Sequence, residues 1–293
     1  MNQGKYIFAQ LTVFLPQRVF DRIVEKHEVN KYVKSFTCWN QMLCMLFGQL
    51  SSKDSMRDLI LGLEAHSSKF YHLGLGSNVS RRNLGTANER RSFKIFEEFA
   101  YVLIAKASEG RYKSDFEVDV GSKTYALDSS TIDLCLNMFK WASFRKHKAG
   151  VKLHTVLDVD TQIPTFIYIS EAKLHDVNIL DLLHYEKGSF YLVDKAYIDY
   201  KRLHFINAKG AFFVTRAKSN MRFKRMYSRE VDKASGIIYD QIGKLETYKS
   251  SRDYPGKIRR VKYFDQEKGK KFIFITNNME ISALDVAMLY KKR

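Results

Sequence analysis

Hydrophobic positions recur at helical spacing through the first part of the chain. Near its end, apolar residues follow one another three or four positions apart, at Phe96, Ala100, Leu103 and Ala107. Thr86–Glu89 has the form of a capping box that would start this helix, and Ser55 with Asp58 opens an earlier helix in the same way. The pattern predicts that residues 1–115 form an all-helical domain.

From about residue 120 the pattern changes to short β-rich runs. They are Thr124–Leu127, Val151–Leu157, Thr165–Ile169, Phe190–Val193 and Ala211–Thr215. Helix-like stretches follow the third and the fourth run, which predicts an α/β domain over residues 116–293. Later runs come without intervening helices, at Gly236–Ile242, Ile258–Phe264 and Phe272–Thr276. Ser282, with Asp285 three positions on, caps a final helix.

The charge balance narrows the choice of partner. Lys and Arg number 49 against 32 Asp and Glu, a formal charge of +17, while the hydrophobic share of 45% is ordinary. Such an excess favours a polyanion, with nucleic acid before an anionic membrane surface. No run approaches the ~20 apolar residues that cross a bilayer, and no amphipathic helix with a lysine-rich face stands out, so we expect no membrane contact. Three cysteines at no metal-ligand spacing suit a reducing cytoplasm.

Two aspartates follow β-forming runs. Asp128 comes after Tyr125–Leu127 and Asp194 after Phe190–Val193. On neighbouring strands the two carboxylates could share divalent cations, and phosphodiester chemistry uses a pair of such ions, one for the nucleophile and one for the leaving oxygen. The structural alternative is that each aspartate caps a turn or a following helix.

Five short sequence motifs include or surround these aspartates. They are Leu127-Asp128-Ser129-Ser130-Thr131, Phe144 to Lys148, Lys152-Leu153-His154, Ala172-Lys173-Leu174-His175-Asp176 and Asp194-Lys195-Ala196-Tyr197. Together they resemble the IS4-type DDE transposases of bacterial insertion sequences, over essentially the whole chain. The last motif departs from the Asp-Arg-Gly-Tyr of typical members at two positions and keeps the aspartate and the tyrosine.

The family's third signature is Tyr-x2-Arg-x3-Glu-x6-Lys on one helix, and Tyr290 to Arg293 matches its start. The resemblance implies that Asp128 and Asp194 are catalytic ligands of a two-metal Mg²⁺ or Mn²⁺ site, and that Tyr290 and Arg293 contact DNA phosphates. The glutamate would fall four residues past Arg293, beyond the sequence. We therefore expect a C-terminally truncated chain that binds DNA without efficient strand transfer.

The resemblance also implies the architecture and the reaction. We expect an RNase H-like core with a β-rich insertion over about residues 217–280, preceded by the helical DNA-binding domain. An intact relative would bind the terminal inverted repeats, cleave them and join the ends to target DNA, as a homodimer on double-stranded DNA in the prokaryotic cytosol, associated with the nucleoid. The alternative is a non-catalytic DNA-binding protein or inhibitor derived from a transposase.

Two basic regions are the candidate DNA contacts. The first, which we expect to bind the terminal repeats, comprises Arg81, Arg82, Asn83, Asn88, Arg90, Arg91 and Lys94. The second comprises Arg216, Lys218, Arg222, Lys224 and Arg225, with Phe223 and Tyr227 interleaved as in a groove that follows a DNA strand. A solvated helix face and a surface loop are the respective alternatives.

Lys152 and His154 are further candidates, because residues two apart on a strand face one side, which could be the cleft. A structural histidine is the alternative.

Overall fold

The computed structural model of the chain describes residues 6–75, 79–109, 121–134, 143–145 and 148–293. It divides into two units, Met1–Glu109 and Gly110–Arg293. The expected boundary between residues 115 and 116 lies outside the described residues, as does Cys135. No helix in the described ranges is long and apolar enough to cross a bilayer.

The first unit is helical where it is described. Its α-helices are α1 (Ile7–Thr12), α2 (Gln17–Lys26), α3 (Cys38–Leu50), α4 (Met56–Glu64), α5 (Arg81–Arg90) and α6 (Lys94–Glu109). Ser55 caps α4 by accepting from the Asp58 N–H, as the pattern predicts. The capping box predicted at Thr86–Glu89 is wrong, because Ser80 already caps α5 through the Asn83 N–H and α5 runs through those residues.

The second unit is built on one mixed sheet. Its strands are β1 (Thr124–Leu134), β2 (Ser143–Arg145), β3 (Lys148–Asp158), β4 (Ile163–Glu171), β5 (Phe190–Val193), β6 (Phe212–Arg216), β7 (Phe223–Arg229), β8 (Ile237–Leu245), β9 (Ile258–Asp265) and β10 (Lys270–Thr276). The spatial order is β2-β3-β1-β5-β6-β10-β9-β8-β7, and β4 pairs with β3. The neighbours β1–β5 and β5–β6 are parallel, and the other pairs are antiparallel.

Helices cover both faces of the sheet at its parallel centre. Three α-helices of the unit are α7 (Tyr200–Ala208), α8 (Tyr248–Asp253) and α9 (Ala283–Lys291). Leu192 and Val214 pack with α9 residues, and we call their side of the sheet the α9 face. Leu127, Val193 and Phe213 pack with residues of α7 on the other side, the α7 face. Every side chain of β5 is therefore buried, which explains its unbroken apolar sequence.

Several strands differ from their predicted extents. β5 matches exactly the predicted run, but β1 does not end at Asp128, because pairing with β3 extends it from Ser129 to Leu134. A 3₁₀ helix, Asp176–Asp181, follows β4 where a helix is predicted. The strand β7 lies in the second basic region, for which the sequence pattern predicts no strand.

The expected β-rich insertion continues the central sheet. β10 pairs with β6, and β9, β8 and β7 follow outward, so the antiparallel strands and the parallel centre share hydrogen bonds and faces.

A buried ion pair joins these outer strands to the segment before α9. Arg259 on β9 is 1% exposed and forms a bidentate pair with Asp240 on β8, at 2.9 and 2.8 Å. The same guanidinium donates to the carbonyl of Ile281 at 2.7 Å. Because Ser282 caps α9 directly afterwards, Arg259 ties the start of that helix to the sheet.

We predict that Asp240→Ala lowers the free energy of unfolding by about 3–5 kcal/mol, because it leaves a buried guanidinium without its counter-charge. Urea unfolding monitored by circular dichroism measures the loss. Glu171→Ala is the control, since Glu171 pairs with Lys173 at the surface, and we expect it to cost less than about 1 kcal/mol. Equal losses for the two variants would contradict the prediction.

Candidate active site in the second unit

The register of the parallel strands places Asp128, Asp194 and Arg216 in one row. Ala126 on β1 lies opposite Leu192 on β5, so Asp128 and Asp194, each two residues further on, lie side by side. Val193 on β5 lies opposite Thr215 on β6, so Asp194 lies beside Arg216, one residue further on in each strand. All three lie on the α9 face, because side chains alternate along a strand. The row forms at the carboxyl ends of β5 and β6 and just past the last β1–β5 pair.

Asp194 is held by several donors. Its Oδ1 accepts from the Ala196 N–H at 3.1 Å, and its Oδ2 accepts from Arg216 Nη2 at 2.9 Å. Burial opposes ionisation, but the Ala196 N–H and the guanidinium groups of Arg216 and Arg293 outweigh it and hold the pKa of Asp194 below its ordinary value. Asp194 thus caps the short 3₁₀ helix Lys195–Tyr197, which is the structural role that the sequence offers as an alternative to metal binding. The same side chain also lies in the row with Asp128 and Arg216.

The end of α9 brings two more side chains to the row. Arg293 Nη2 lies 3.0 Å from Asp128 Oδ1, and its Nη1 lies 3.5 Å from Asp194 Oδ2. The Tyr290 hydroxyl donates to Asp194 Oδ2 at 3.5 Å, and its ring packs against Phe274 with centroids 5.0 Å apart. One guanidinium therefore bridges both carboxylates.

The helix reaches the row because its start and its body are both fixed. Ser282 and Asp285 form the predicted capping box, with the Ser282 hydroxyl accepting from the Asp285 N–H. Val286, Ala287 and Leu289 are buried against the α9 face. Tyr290 lies in the last turn of α9, and Arg293 follows two residues after the helix ends, where its N–H donates to the carbonyl of Tyr290 at 3.3 Å.

The donor set suits a divalent cation. Carboxylate oxygens are the ligands that Mg²⁺ and Mn²⁺ prefer, and both carboxylates lie within reach of one cationic group. Asp128 is 73% exposed, so solvent or substrate can reach it. Across the described residues no cluster of three His, Cys, Asp or Glu side chains could hold a metal ion. Asp128 and Asp194 are the two carboxylates of the row that could hold a divalent cation.

Tyr197, from the same motif as Asp194, belongs to the hydrophobic core. Burial raises its pKa to about 12, so its hydroxyl stays protonated at neutral pH.

The sequence-predicted DNA contacts near α5 divide into exposed and engaged side chains. The exposed ones are Arg81, Arg82, Asn83, Arg90 and Lys94. Arg91 instead donates to Gln41 Oε1 and to the carbonyl of Thr37, both at 3.0 Å, and to the carbonyl of Phe36. Asn88, which is exposed, accepts from Gln41 at 2.7 Å. Arg91 and Asn88 therefore help to hold the helical unit together.

The second basic stretch does not form one surface. Arg216 lies in the carboxylate row, and Lys218 donates to the carbonyl of Ile198 at 3.0 Å. Arg222, Lys224 and Arg225 are exposed, but Lys224 and Arg225 are consecutive on β7 and point to opposite faces.

Lys152 and His154 lie on the α7 face, away from the row. His154 is opposite Ser129 on β1, whereas Asp128 is opposite Thr155. Lys152 pairs with Asp176 at 2.9 Å, and buried His154 contacts the Ser170 hydroxyl at 2.9 Å. Burial lowers the pKa of His154, which keeps the imidazole neutral at pH 7. The structure therefore does not bring this pair into the cleft.

Arg216 is the site residue whose position the sequence reasoning missed. The sequence places Arg216 with the basic stretch that follows it, yet it comes directly after the predicted run Ala211–Thr215, as Asp194 comes directly after Phe190–Val193, and it is the last residue of β6. Its position directly after the Ala211–Thr215 run is the signal that could have found it.

Fold and site together define an α/β domain with paired carboxylates beside its parallel strands. Residues 120–293 match the family model described as "Transposase DDE domain", and residues 3–76 match "Domain of unknown function (DUF4372)". The chain therefore belongs to the DDE transposase domain family.

Two curated relatives are similar to the chain. "Putative transposase y4zB" of Sinorhizobium fredii is 32% identical over 219 residues, which cover 73% of this chain and 59% of that protein. "Probable transposase for insertion sequence element IS5377" of Geobacillus stearothermophilus is 27% identical over 169 residues, or 57% and 44%. The chain thus spans about half the length of these relatives.

Among solved structures, endonuclease V of Ciona intestinalis is 13% identical, with 69% of this chain and 90% of that chain covered. The TM-score between the two structures is 0.25.

We predict that Arg216→Gln raises the pKa of Asp194 in metal-free protein, because it removes a donor and a positive charge that both favour the carboxylate. Carboxyl-carbon NMR titration measures the pKa. Arg222→Gln is the control, since it removes the same charge from an exposed position outside the row. An unchanged or lower pKa for Asp194 in Arg216→Gln would contradict the assignment.

Proposed function

We propose that the protein acts in the transposition of an insertion sequence and that its second unit cleaves DNA with the help of divalent cations. The observation that carries the proposal is the row of Asp128 and Asp194 on adjacent strands, reached from α9 by Tyr290 and Arg293. The family and the curated transposase relatives support the same reaction class.

Asp128 and Asp194 would hold Mg²⁺ or Mn²⁺. When bound, such ions activate the attacking oxygen and stabilise the leaving one. Burial raises the pKa of Asp194, but the Ala196 N–H and the guanidinium groups of Arg216 and Arg293 lower it further, which favours the charged carboxylate that a divalent cation binds. Tyr290 and Arg293 lie beside the carboxylates, where a phosphate of the scissile strand would accept from the phenol and the guanidinium.

The finer assignments follow the resemblance to IS4-type transposases. The substrate would be double-stranded DNA with terminal inverted repeats, bound by a homodimer and joined to target DNA, in the bacterial cytosol. The exposed residues of the α5 region, Arg81, Arg82, Asn83, Arg90 and Lys94, suit the repeats, because their side chains are free to meet phosphates and base edges. An RNase H-like core agrees with the parallel centre flanked by antiparallel strands.

A second candidate is a DNA-binding protein without catalysis, which could compete with an active transposase for the repeats. It is favoured by Arg293, whose guanidinium already pairs with both Asp128 and Asp194.

We predict that Asp128→Asn and Asp194→Asn each weaken Mn²⁺ binding by about tenfold or more, since each removes a charged ligand. Isothermal titration calorimetry measures binding, and nicking of supercoiled DNA in Mn²⁺ should fall in parallel. Asp133→Asn is the control, because Asp133 is exposed on the same strand and projects from the opposite face.

Retention of DNA binding in both variants, with loss of Mn²⁺ binding and nicking, is the expected result. If neither variant changes Mn²⁺ binding or nicking, the catalytic proposal fails and the non-catalytic one is favoured.

A further inference from the structure

The outer strands β7 to β10 carry a row of cations and aromatic rings on the α7 face. Register places Tyr239 opposite Lys262, Gln241 opposite Arg260 and Arg225 opposite Gly243. These five side chains therefore share one side of the sheet, and we call them the basic strip: Arg225, Tyr239, Gln241, Arg260 and Lys262.

Aromatic rings and an amide hold the central cations in place. The Arg260 guanidinium lies 4.3 Å from the ring centroid of Phe223 and 5.2 Å from that of Tyr239, and it donates to Gln241 Oε1 at 2.6 Å. Lys262 Nζ lies 5.6 Å from the Tyr239 centroid. None of these partners carries a negative charge, so the contacts orient the cations without neutralising them.

The strands β7 to β10 carry no acidic side chain on the α7 face. The acidic residues of β7 to β10, all of which the structure describes, are Asp240 and Asp265, and both lie on the α9 face with Val261. Some other arginines of the unit do have acidic partners: Arg259 pairs with Asp240 and Arg216 with Asp194. The described residues offer no ion pair to Arg225, Arg260 or Lys262.

A row of cations without acidic partners fits a polyanion with regularly spaced charges. The rings of Phe223 and Tyr239 are already covered by Arg260, so they are not free to stack on unpaired bases. The available groups are cations, which contact phosphates. Duplex DNA fits this chemistry better than single-stranded DNA, whose recognition relies on open aromatic platforms.

We propose that the basic strip is a docking surface for the backbone of duplex DNA, separate from the carboxylate row and on the opposite face of the sheet. The proposal rests on the proposed function, since it assumes that the protein acts on DNA. It assigns to β7–β10 the task of holding a second length of duplex by its phosphates, without reading its sequence.

The test compares two double variants that remove equal charge from the two faces of the same strands. Arg225→Gln with Lys262→Gln alters the strip. Lys224→Gln with Lys244→Gln is the matched control, because these exposed lysines lie opposite each other on the α9 face. Fluorescence anisotropy measures binding of the full chain to a fluorescein-labelled duplex of arbitrary sequence over a series of salt concentrations, and thermal melting checks folding.

We expect the strip variant to bind on the order of tenfold more weakly at physiological salt, and the slope of log K against log salt to fall by about two, as the loss of two phosphate contacts requires. The control variant should keep the affinity and slope of the unmodified chain. Equal losses in both variants, or no loss in the strip variant, would overturn the docking surface while leaving the proposed function intact. An unmodified chain that binds no duplex would overturn both.

Discussion

Two carboxylates on adjacent parallel strands repel each other across the strand spacing of about 4.8 Å, and the second unit is arranged around that repulsion. Arg216 is placed beside Asp194 by the next parallel strand, and Arg293 reaches both aspartates from α9. The compensating cations thus come from distant parts of the chain and meet only when the sheet and the helix are both formed. Parallel pairing, which brings the aspartates together, is also what makes the cations necessary.

The position of α9 depends in turn on the outer strands. Arg259 and Asp240 are removed from water and satisfy each other, and the remaining N–H groups of Arg259 fix the carbonyl of Ile281 just before the helix begins. Burial of such a pair contributes little net stability, but loss of one partner is costly, so the pair acts mainly to specify one geometry. The β-rich segment is therefore part of the framework that aims Tyr290 and Arg293 at the carboxylates.

Local patterns were sufficient for part of this structure. The apolar run of β5, the Ser55 cap and the Ser282 capping box involve neighbours in sequence, and each was predicted. The Thr86 capping box was misplaced, because the Ser80 hydroxyl had already started the helix six residues earlier. β7 was missed because its side chains are mostly exposed and do not alternate between apolar and polar, so its strand conformation comes from pairing with β8 rather than from its own pattern.

The candidate site shows the same division. Asp128 and Asp194 could be predicted from the strands that precede them and from family motifs, but their alignment with Arg216 is a matter of register between strands about 65 and 20 residues apart along the chain. The register between β1 and β3 explains why Lys152 and His154 face away from the row. Asp128 lies opposite Thr155, and His154 and Lys152 are one and three residues from Thr155, which places them on the other face of the sheet. Lys224 and Arg225, adjacent in sequence, were predicted as one surface and are separated by the pleat.

Strand pleating also makes the site sensitive to length rather than to composition. If β5 moved by one residue against β1, Asp194 would turn toward α7 and the two carboxylates would lie on different sides of the sheet. A shift of two residues would restore the side but carry Asp194 about 6.6 Å along the strand, beyond the reach that Arg293 now spans. The site thus depends on the number of residues between Leu192 and Asp194 and between Ala126 and Asp128. Many substitutions within these segments preserve the geometry, whereas an inserted or deleted residue does not.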